Sequence, residues 1–278
     1  MKLLTTGIGP SFVENYKKLK NIKDDIQILA YHRCLWFLKQ EGIKVNYWTF
    51  NDPDGALLSL KWLMENLDDP NRPKIIIPHF LKNLNENTKY GGTSAMLRVG
   101  RTFEGKDTND PLYSVRNNWE FYHTSIKTLD ERGEIEWIES TSTRYIGNDP
   151  KNEIFTSPAK RFEDNKPMII GSVNFDGITS ASNWAKENKF TSSVLPVAHY
   201  LKAKEVYNLG FDSKGRGFRT DLYMGGSEKN TNIALEKFKL WVDWEPYHKM
   251  KIYSVAEDKY TPNNTVLKYK PLETLLNG

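Results

Sequence analysis

Short apolar or β-branched runs, each closed by turn chemistry, recur along the chain: Lys2 to Thr6, Ile26 to Tyr31, Val45 to Phe50, Lys74 to Pro78, Met168 to Ser172, Glu205 to Leu209 and Lys251 to Val255. Their length and flanks predict strands. Stretches with helical periodicity separate most of them, as in Phe12 to Leu19 and Leu57 to Leu67. That alternation predicts an α/β fold, a Rossmann-like and mostly parallel sheet with helices on both faces.

The rhythm breaks between residues 82 and 166, where glycine, asparagine and proline are frequent and strand-like pieces such as Ile135 to Glu139 are few. The pattern predicts one domain over residues 1–278. Its core takes in 1–81 and 167–261, with an inserted lid or acceptor region over 82–166 and a C-terminal strap over 262–278. Asn-Asp-Pro begins at Asn51, Asn109 and Asn148, but the flanks do not match, so the copies are turn formers rather than a repeat.

With 278 residues and 38% hydrophobic content, the chain can bury a large core. A net charge of +4 permits an anionic ligand without demanding nucleic acid. A lone cysteine, Cys34, excludes an intramolecular disulfide framework and fits a reducing compartment, so the expected location is the cytoplasm. No apolar stretch reaches the roughly 18 residues that a membrane span needs. His32, His79, His123, His199 and His248 lack zinc-ligand spacing.

Candidate chemistry gathers where strands end. Gly7-Ile8-Gly9-Pro10-Ser11 follows the first strand and precedes a helix, so backbone amides there can face a phosphate or a nucleotide edge, with Ser11 as a cap. His32 closes the second strand. Asn51-Asp52-Pro53-Asp54-Gly55 closes the third, where open α/β sheets bind ligands. Asp52 and Asp54 there form an Asp-x-Asp pair able to hold a divalent cation, or alternatively a turn that caps the next helix. Phe190-Thr191-Ser192-Ser193 opens an apolar helical run on which His199 reads as a packed histidine. The strand Glu205 to Leu209 then ends in Gly210-Phe211-Asp212. Beyond it, Lys214, Arg216 and Arg219 share a glycine-rich loop suited to clamping phosphates.

Five pieces in this order resemble the bacterial lipooligosaccharide sialyltransferases of glycosyltransferase family 42 and their wider relatives. Gly7 to Ser11 resembles the family's Gly-Asn-Gly-Pro-Ser, and Asn51-Asp52-Pro53 its Asn-Pro after the third strand. Thr191-Ser192-Ser193 resembles Thr-Ser-Gly, and Lys204 to Asp212 resembles Lys-Glu-Ile-Tyr-Leu-x-Gly-x-Asp. Gly225 to Asn232 resembles Gly-His-Ser-Lys-Asn-Thr-Asp. The resemblance implies a lidded Rossmann-like domain, a nucleotide-sugar donor and metal-independent, inverting transfer to a hydroxyl. By the same resemblance, Gly7, Ile8 and Gly9, His32, Asn51 or Asp52, and Thr191 with Ser192 hold the donor, and Ser11 and Gly210 beside them are further donor-binding candidates.

Departures from the family reshape the chemistry. Its first-loop asparagine is Ile8 here, its second-strand asparagine is His32, and its general-base histidine falls on Gly226. A carboxylate, Asp52, Asp212, Asp221 or Glu228, is the first candidate to replace that base, ahead of retaining transfer without one and of a non-catalytic nucleotide- or glycan-binding module. Lys189 stands near the family's conserved arginine. In place of the phosphate-binding tyrosines stand Lys214, Arg216 and Arg219, cations matched to a diphosphate, so a UDP-sugar is expected ahead of a CMP-sugar. In the insertion, Arg98, Arg101, Trp119 and His123 combine cations with aromatic faces for an acceptor, either a glycan or a hydroxymethylated base in DNA.

Overall fold

The central strand is Lys2–Thr6 (β1), and the computed structural model describes it together with the rest of residues 1–50 and with 53–78, 81–82, 118–138, 140–141, 169–170, 190, 194–212, 239, 242–243, 245–259 and 262–277. Around β1 the main sheet is built from β2 (Ile26–Tyr31), β3 (Tyr47–Thr49), β4 (Lys74–Pro78), β5 (Ile135–Ile138), β8 (Glu205–Leu209), β9 (Lys251–Ser254) and β10 (Lys268–Tyr269). Its order is β10-β9-β8-β1-β2-β3-β4-β5, and every neighbouring pair is parallel. In register, Thr6 lies beside Ala30 on one flank and Leu209 on the other.

Parallel strands are buried on both faces, which explains why β2 and β4 carry apolar residues at successive positions rather than alternating ones, while β8 adds a buried Asn208 between Tyr207 and Leu209. Successive side chains nevertheless enter different cores. Leu4, Ile28, Trp48, Ile75, Ile77 and Tyr207 point into the first. Helices α1 (Pro10–Asn15), α2 (Cys34–Gln40), α3 (Pro53–Glu65) and α4 (Trp119–Glu131) pack on that side, offering Phe12, Leu38, Leu60 and Leu129 among others. The second core joins Leu3, Leu29, Tyr31, Ile76 and Val206 to α5 (Leu195–Tyr200) and to Tyr247 and Met250.

Two segments differ from the pattern-based expectation. Residues 118–138, assigned by composition to the insertion, contain α4 and β5, and β5 completes the sheet by pairing Ile75 with Ile135 through Pro78 with Ile138. The stripe Tyr122, Ile126 and Leu129 buries α4 against the first core. Within Met168 to Ser172 the described residues are Ile169–Ile170 (β7), and they pair with Ser140–Thr141 (β6) in a separate two-stranded sheet. The helix expected over Phe12 to Leu19 is α1 followed by a 3₁₀ turn at Tyr16–Asn21. Helix α3 begins earlier than expected, at Pro53, since proline is tolerated in a first turn.

The C-terminal strap is anchored at both cores. Leu267 enters the second, while Leu272 and Leu275 enter the first. The Lys23 N–H donates to Leu275 O at 3.0 Å, and the Asn277 N–H to Asn21 O at 2.7 Å. Lys270 Nζ lies 5.0 and 5.1 Å from the ring centroids of Tyr207 and Tyr253, which stack on each other at 5.4 Å. Because the strap adds buried leucine to the main core, Leu272→Ala or Leu275→Ala should each cost about 2–5 kcal/mol of unfolding free energy in a urea titration. A loss below about 1 kcal/mol would mean that the strap lies outside the cooperative unit.

Candidate functional site

From β1 the chain adds β2, β3, β4 and β5 on one flank and, later, β8, β9 and β10 on the other. The direction of winding therefore reverses between β1 and β8. In open parallel sheets that switch point, at the carboxyl ends of the strands, is where ligands bind.

At this point the two loops interlock. The Gly7 N–H donates to Leu209 O at 2.8 Å and the Gly9 N–H to Gly210 O at 2.7 Å, which continues the β1–β8 pairing past the strand ends. Such an approach leaves no space for side chains. A Cβ on Gly7 would stand 2.6 Å from Gly210 O, and one on Gly9 would stand 2.6 Å from an Asp212 carboxylate oxygen. Gly210 has φ +83°, and a Cβ there would collide with Gly7 O and with Phe12 Cβ.

Ser11 and Asp212 fasten the same junction. The Ser11 N–H donates to Asp212 Oδ2 at 2.8 Å, Ser11 Oγ donates to Asp212 Oδ1 at 2.9 Å, and the Gly210 N–H donates to Ser11 Oγ at 2.9 Å. Ser11 is thus no cap for its own helix. Gly9 precedes α1 without a side-chain bond, and a carboxylate 201 residues away satisfies the first-turn amide. Asp212 is 2% exposed. Burial pushes its carboxyl up to about 7, against the two Ser11 hydrogen bonds that favour the charged form.

His32 closes β2 in the left-handed region, with φ 51°. Its N–H donates to Thr49 O at 2.9 Å, while its carbonyl accepts from Trp48 Nε1 at 2.7 Å and Ser59 Oγ at 3.0 Å. Three bonds therefore hold a backbone conformation that costs a non-glycine residue about 1–2 kcal/mol. The imidazole stacks on Tyr31 with centroids 3.8 Å apart. Tyr31 and Phe190 each meet Phe211 at 5.6 Å, so an aromatic layer runs from the end of β2 to the end of β8.

Of the residues expected to hold a donor, the structure brings Gly7, Ile8, Gly9, Ser11 and Gly210 together at the β1–β8 junction and sets His32 at the neighbouring strand end. Asp212, expected as a base, belongs to the same junction. Asn51, Asp52, Lys189, Thr191, Ser192, Lys214, Arg216, Arg219, Asp221 and Glu228 lie outside the described residues, as do Arg98 and Arg101 of the acceptor set. His123 and the backbone of Trp119 occupy the first turns of α4, on the β4–β5 flank.

Two residues at this edge escaped the sequence reading. Arg33, directly after His32, is buried with 8% exposure, and its position between a strand end and a helix was the available signal. Thr49 lies in register with Tyr31 and buries a hydroxyl that has no hydrogen-bond partner among the described residues. Nothing in its sequence context marks it.

Among the described residues no group of three or more His, Cys, Asp or Glu side chains is placed to hold a metal ion, and no helix is long and apolar enough to cross a membrane. A cleft of about 880 Å³ opens at the opposite end of the sheet, beside the amino ends of β4 and β5. Its charges are paired with one another, Arg72 with Glu134, Lys74 with Glu136 and Arg132 with Glu134, which marks a structural network.

No protein-family model matches the chain, and no curated protein matches it in sequence. Among solved structures it is similar to the sialyltransferase CstII from Campylobacter jejuni in complex with the substrate analogue CMP-3FNeuAc. The identity is 16%, the match covers 100% of this chain and 88% of that one, and the TM-score is 0.42. A CST-II structure with trisaccharide acceptor and CMP gives 13% identity, coverage of 100% and 89%, and a TM-score of 0.43. An α-2,3-sialyltransferase from Campylobacter jejuni in apo form gives 17%, coverage of 100% and 83%, and 0.38.

Two outcomes follow from the junction. Gly42 also has positive φ, but nothing lies within 4 Å of a Cβ built there. Gly42→Ala should therefore cost about 1–2 kcal/mol for backbone strain alone, whereas Gly210→Ala should cost at least about 2 kcal/mol more through overpacking, as read by urea unfolding. Equal losses would mean that the loops do not touch. The second concerns pH. An Asp212 carboxyl raised from 3.8 to about 7 stabilises the fold fully below pH 4, and that contribution disappears as pH climbs to about 7. Relative to Asp212→Asn, the unfolding free energy of the wild type should fall by roughly 2–4 kcal/mol between pH 4 and pH 8. A flat difference would show that Asp212 is ionised throughout.

Proposed function

We propose that the protein is a nucleotide-sugar-dependent glycosyltransferase that moves a sugar from its donor to a hydroxyl of an acceptor. One observation carries the reading: motif pieces from distant parts of the chain end at one edge of the sheet. Gly7 to Ser11, His32 and Gly210 to Asp212 close β1, β2 and β8. Pro53, the last residue of the Asn-Asp-Pro turn, begins α3 just after β3. The order of the motifs in the sequence supports a donor site, and their common edge supports a single one.

In this reading the donor's nucleotide lies against the β1 loop and His32, with Asn51, Asp52, Thr191 and Ser192 completing its site. The cations Lys214, Arg216 and Arg219, with Lys189, offset charge on the departing phosphate. That charge set favours a UDP-sugar over a CMP-sugar. An acceptor hydroxyl, with its proton passing to Asp52 or Glu228, attacks the anomeric carbon as the bond to the phosphate oxygen breaks. The products are the glycosylated acceptor and the nucleotide. Arg98, Arg101, Trp119 and His123 are the acceptor contacts, and a glycan or a hydroxymethylated base in DNA fits their mixture of cations and rings.

The test is a mass-spectrometric screen of the purified protein for hydrolysis of UDP- and CMP-sugars, with and without divalent metal and with and without hydroxymethylated DNA. Turnover of a UDP-sugar without added metal is expected. Selective turnover of a CMP-sugar would overturn the donor assignment. Thermal stabilisation by a nucleotide without any turnover would identify a binding module in which Gly226 marks a lost activity.

A further inference from the structure

We propose that Asp212 is a positioning residue, whose carboxylate latches the glycine loop of β1 to the end of β8 and thereby sets the shape of the donor site. The proposal rests on the reading of this edge as a nucleotide-binding site, but its structural half can be tested without a donor.

Asp212 Oδ2 and Oδ1 accept from the N–H and the hydroxyl of Ser11 at 2.8 and 2.9 Å, and the same hydroxyl accepts from the Gly210 N–H at 2.9 Å. Carboxylate, hydroxyl and two amides thus form a hydrogen-bonded circuit across the gap between the loops. Both Ser11 and Asp212 are buried, at 0% and 2% exposure, so the circuit is shielded from competing water. The glycine contacts bring the loops close enough for it to form.

That circuit fixes a stretch of the β1 loop in which, among the described residues, one amide has no backbone acceptor. The Gly7 and Gly9 amides are spent on Leu209 O and Gly210 O, whereas among the described residues no backbone carbonyl accepts from the Ile8 N–H. If the loop shifts, the Ile8 peptide shifts with it. A group buried this deeply in hydrogen bonds to its own fold acts on the donor through the loop rather than on the acceptor's proton. A proton-accepting residue must come within about 2.6–3.2 Å of the acceptor hydroxyl or reach it through one water.

The experiment compares Ser11→Ala, Asp212→Ala and Asp212→Asn by amide hydrogen exchange and by donor kinetics, using whichever of UDP-glucose and CMP-N-acetylneuraminic acid the wild type hydrolyses. Ser11→Ala and Asp212→Ala should speed exchange at residues 7–12 and 210–212 at least tenfold, with the amides of β2 and β4 unchanged. They should raise donor KM about tenfold with kcat held within about threefold. The Asn amide can accept from the Ser11 N–H and donate to the Ser11 hydroxyl, so Asp212→Asn should restore most of the protection and donor affinity that Asp212→Ala loses. A hundredfold loss of kcat in Asp212→Asn, with exchange unchanged, would overturn the proposal in favour of a catalytic base. Unchanged exchange in Ser11→Ala would overturn it as well, and that mild substitution decides the matter if Asp212→Ala does not fold. Should the wild type neither bind nor hydrolyse a donor, the functional reading fails while the exchange data still decide the latch.

Discussion

The structure depends on an approach between two backbones. Strands β1 and β8 come from opposite halves of the chain, yet their loops lie so close that the Gly9 N–H reaches Gly210 O at 2.7 Å. Only residues without a Cβ permit this, at Gly7, Gly9 and Gly210 alike. The contact joins the sheet's N-terminal half to its C-terminal half, because β8 is the sole strand through which β9 and β10 meet the rest. A larger residue at any of the three positions would displace a strand rather than rotate a side chain. Pairing across some 200 residues also carries a loop-closure cost that local contacts do not. The hydrogen bonds of the junction therefore form only after a non-local search.

The two ends of the sheet are built on different terms. At the amino end, ion pairs such as Lys2 with Asp25 at 2.7 Å are exposed and contribute little, and Arg72 with Glu134 is the largely buried exception among the described pairs. At the carboxyl end, polar groups are buried and locked: a carboxylate inside a hydrogen-bond circuit, and a histidine backbone in the left-handed region held by three bonds. Strained backbone and a perturbed carboxyl are features that cluster where proteins act, and here both fall at one edge. The aromatic layer of His32, Tyr31, Phe211 and Phe190 spans that edge on one face and gives it a stiff floor.

Strands β1, β2, β4 and β8 were legible residue for residue, because a doubly buried parallel strand must be apolar along its length and a turn must close it. Strand β5 was read as strand-like but assigned to the insertion rather than to the sheet, and helix α4 was not read at all. The helix's periodicity is clear in hindsight at Tyr122, Ile126 and Leu129, but the glycine- and asparagine-rich flanks outweighed it. At the β1–β8 junction, the contacts of several singled-out residues differ from what their local sequence suggested. The glycines suggested an approach of backbone to a ligand, and they also permit the approach of the two loops to each other. Ser11 suggested a local cap, whereas its partner is Asp212. The cause is that periodicity and spacing report local structure, and the junction is a contact between residues far apart in sequence. The left-handed turn at His32 was hidden for the same reason, since Trp48 and Ser59 hold it from other elements.

Asp212 shows how a perturbed pKa is to be weighed. A carboxyl raised to about 7 in a candidate active site has the affinity expected of a general base, and on that ground alone it would be nominated. The cause of the shift argues the other way. Burial raises it, and the same burial leaves 2% of the residue exposed, with both oxygens already bonded to Ser11. Proton affinity and access to the acceptor come from opposite environments here, and chemistry requires both. A group that has the first without the second is part of the frame. Its value lies in where it holds the loop, and in the glycosyl transfer we propose the acceptor's proton goes to a carboxylate that solvent and substrate can reach.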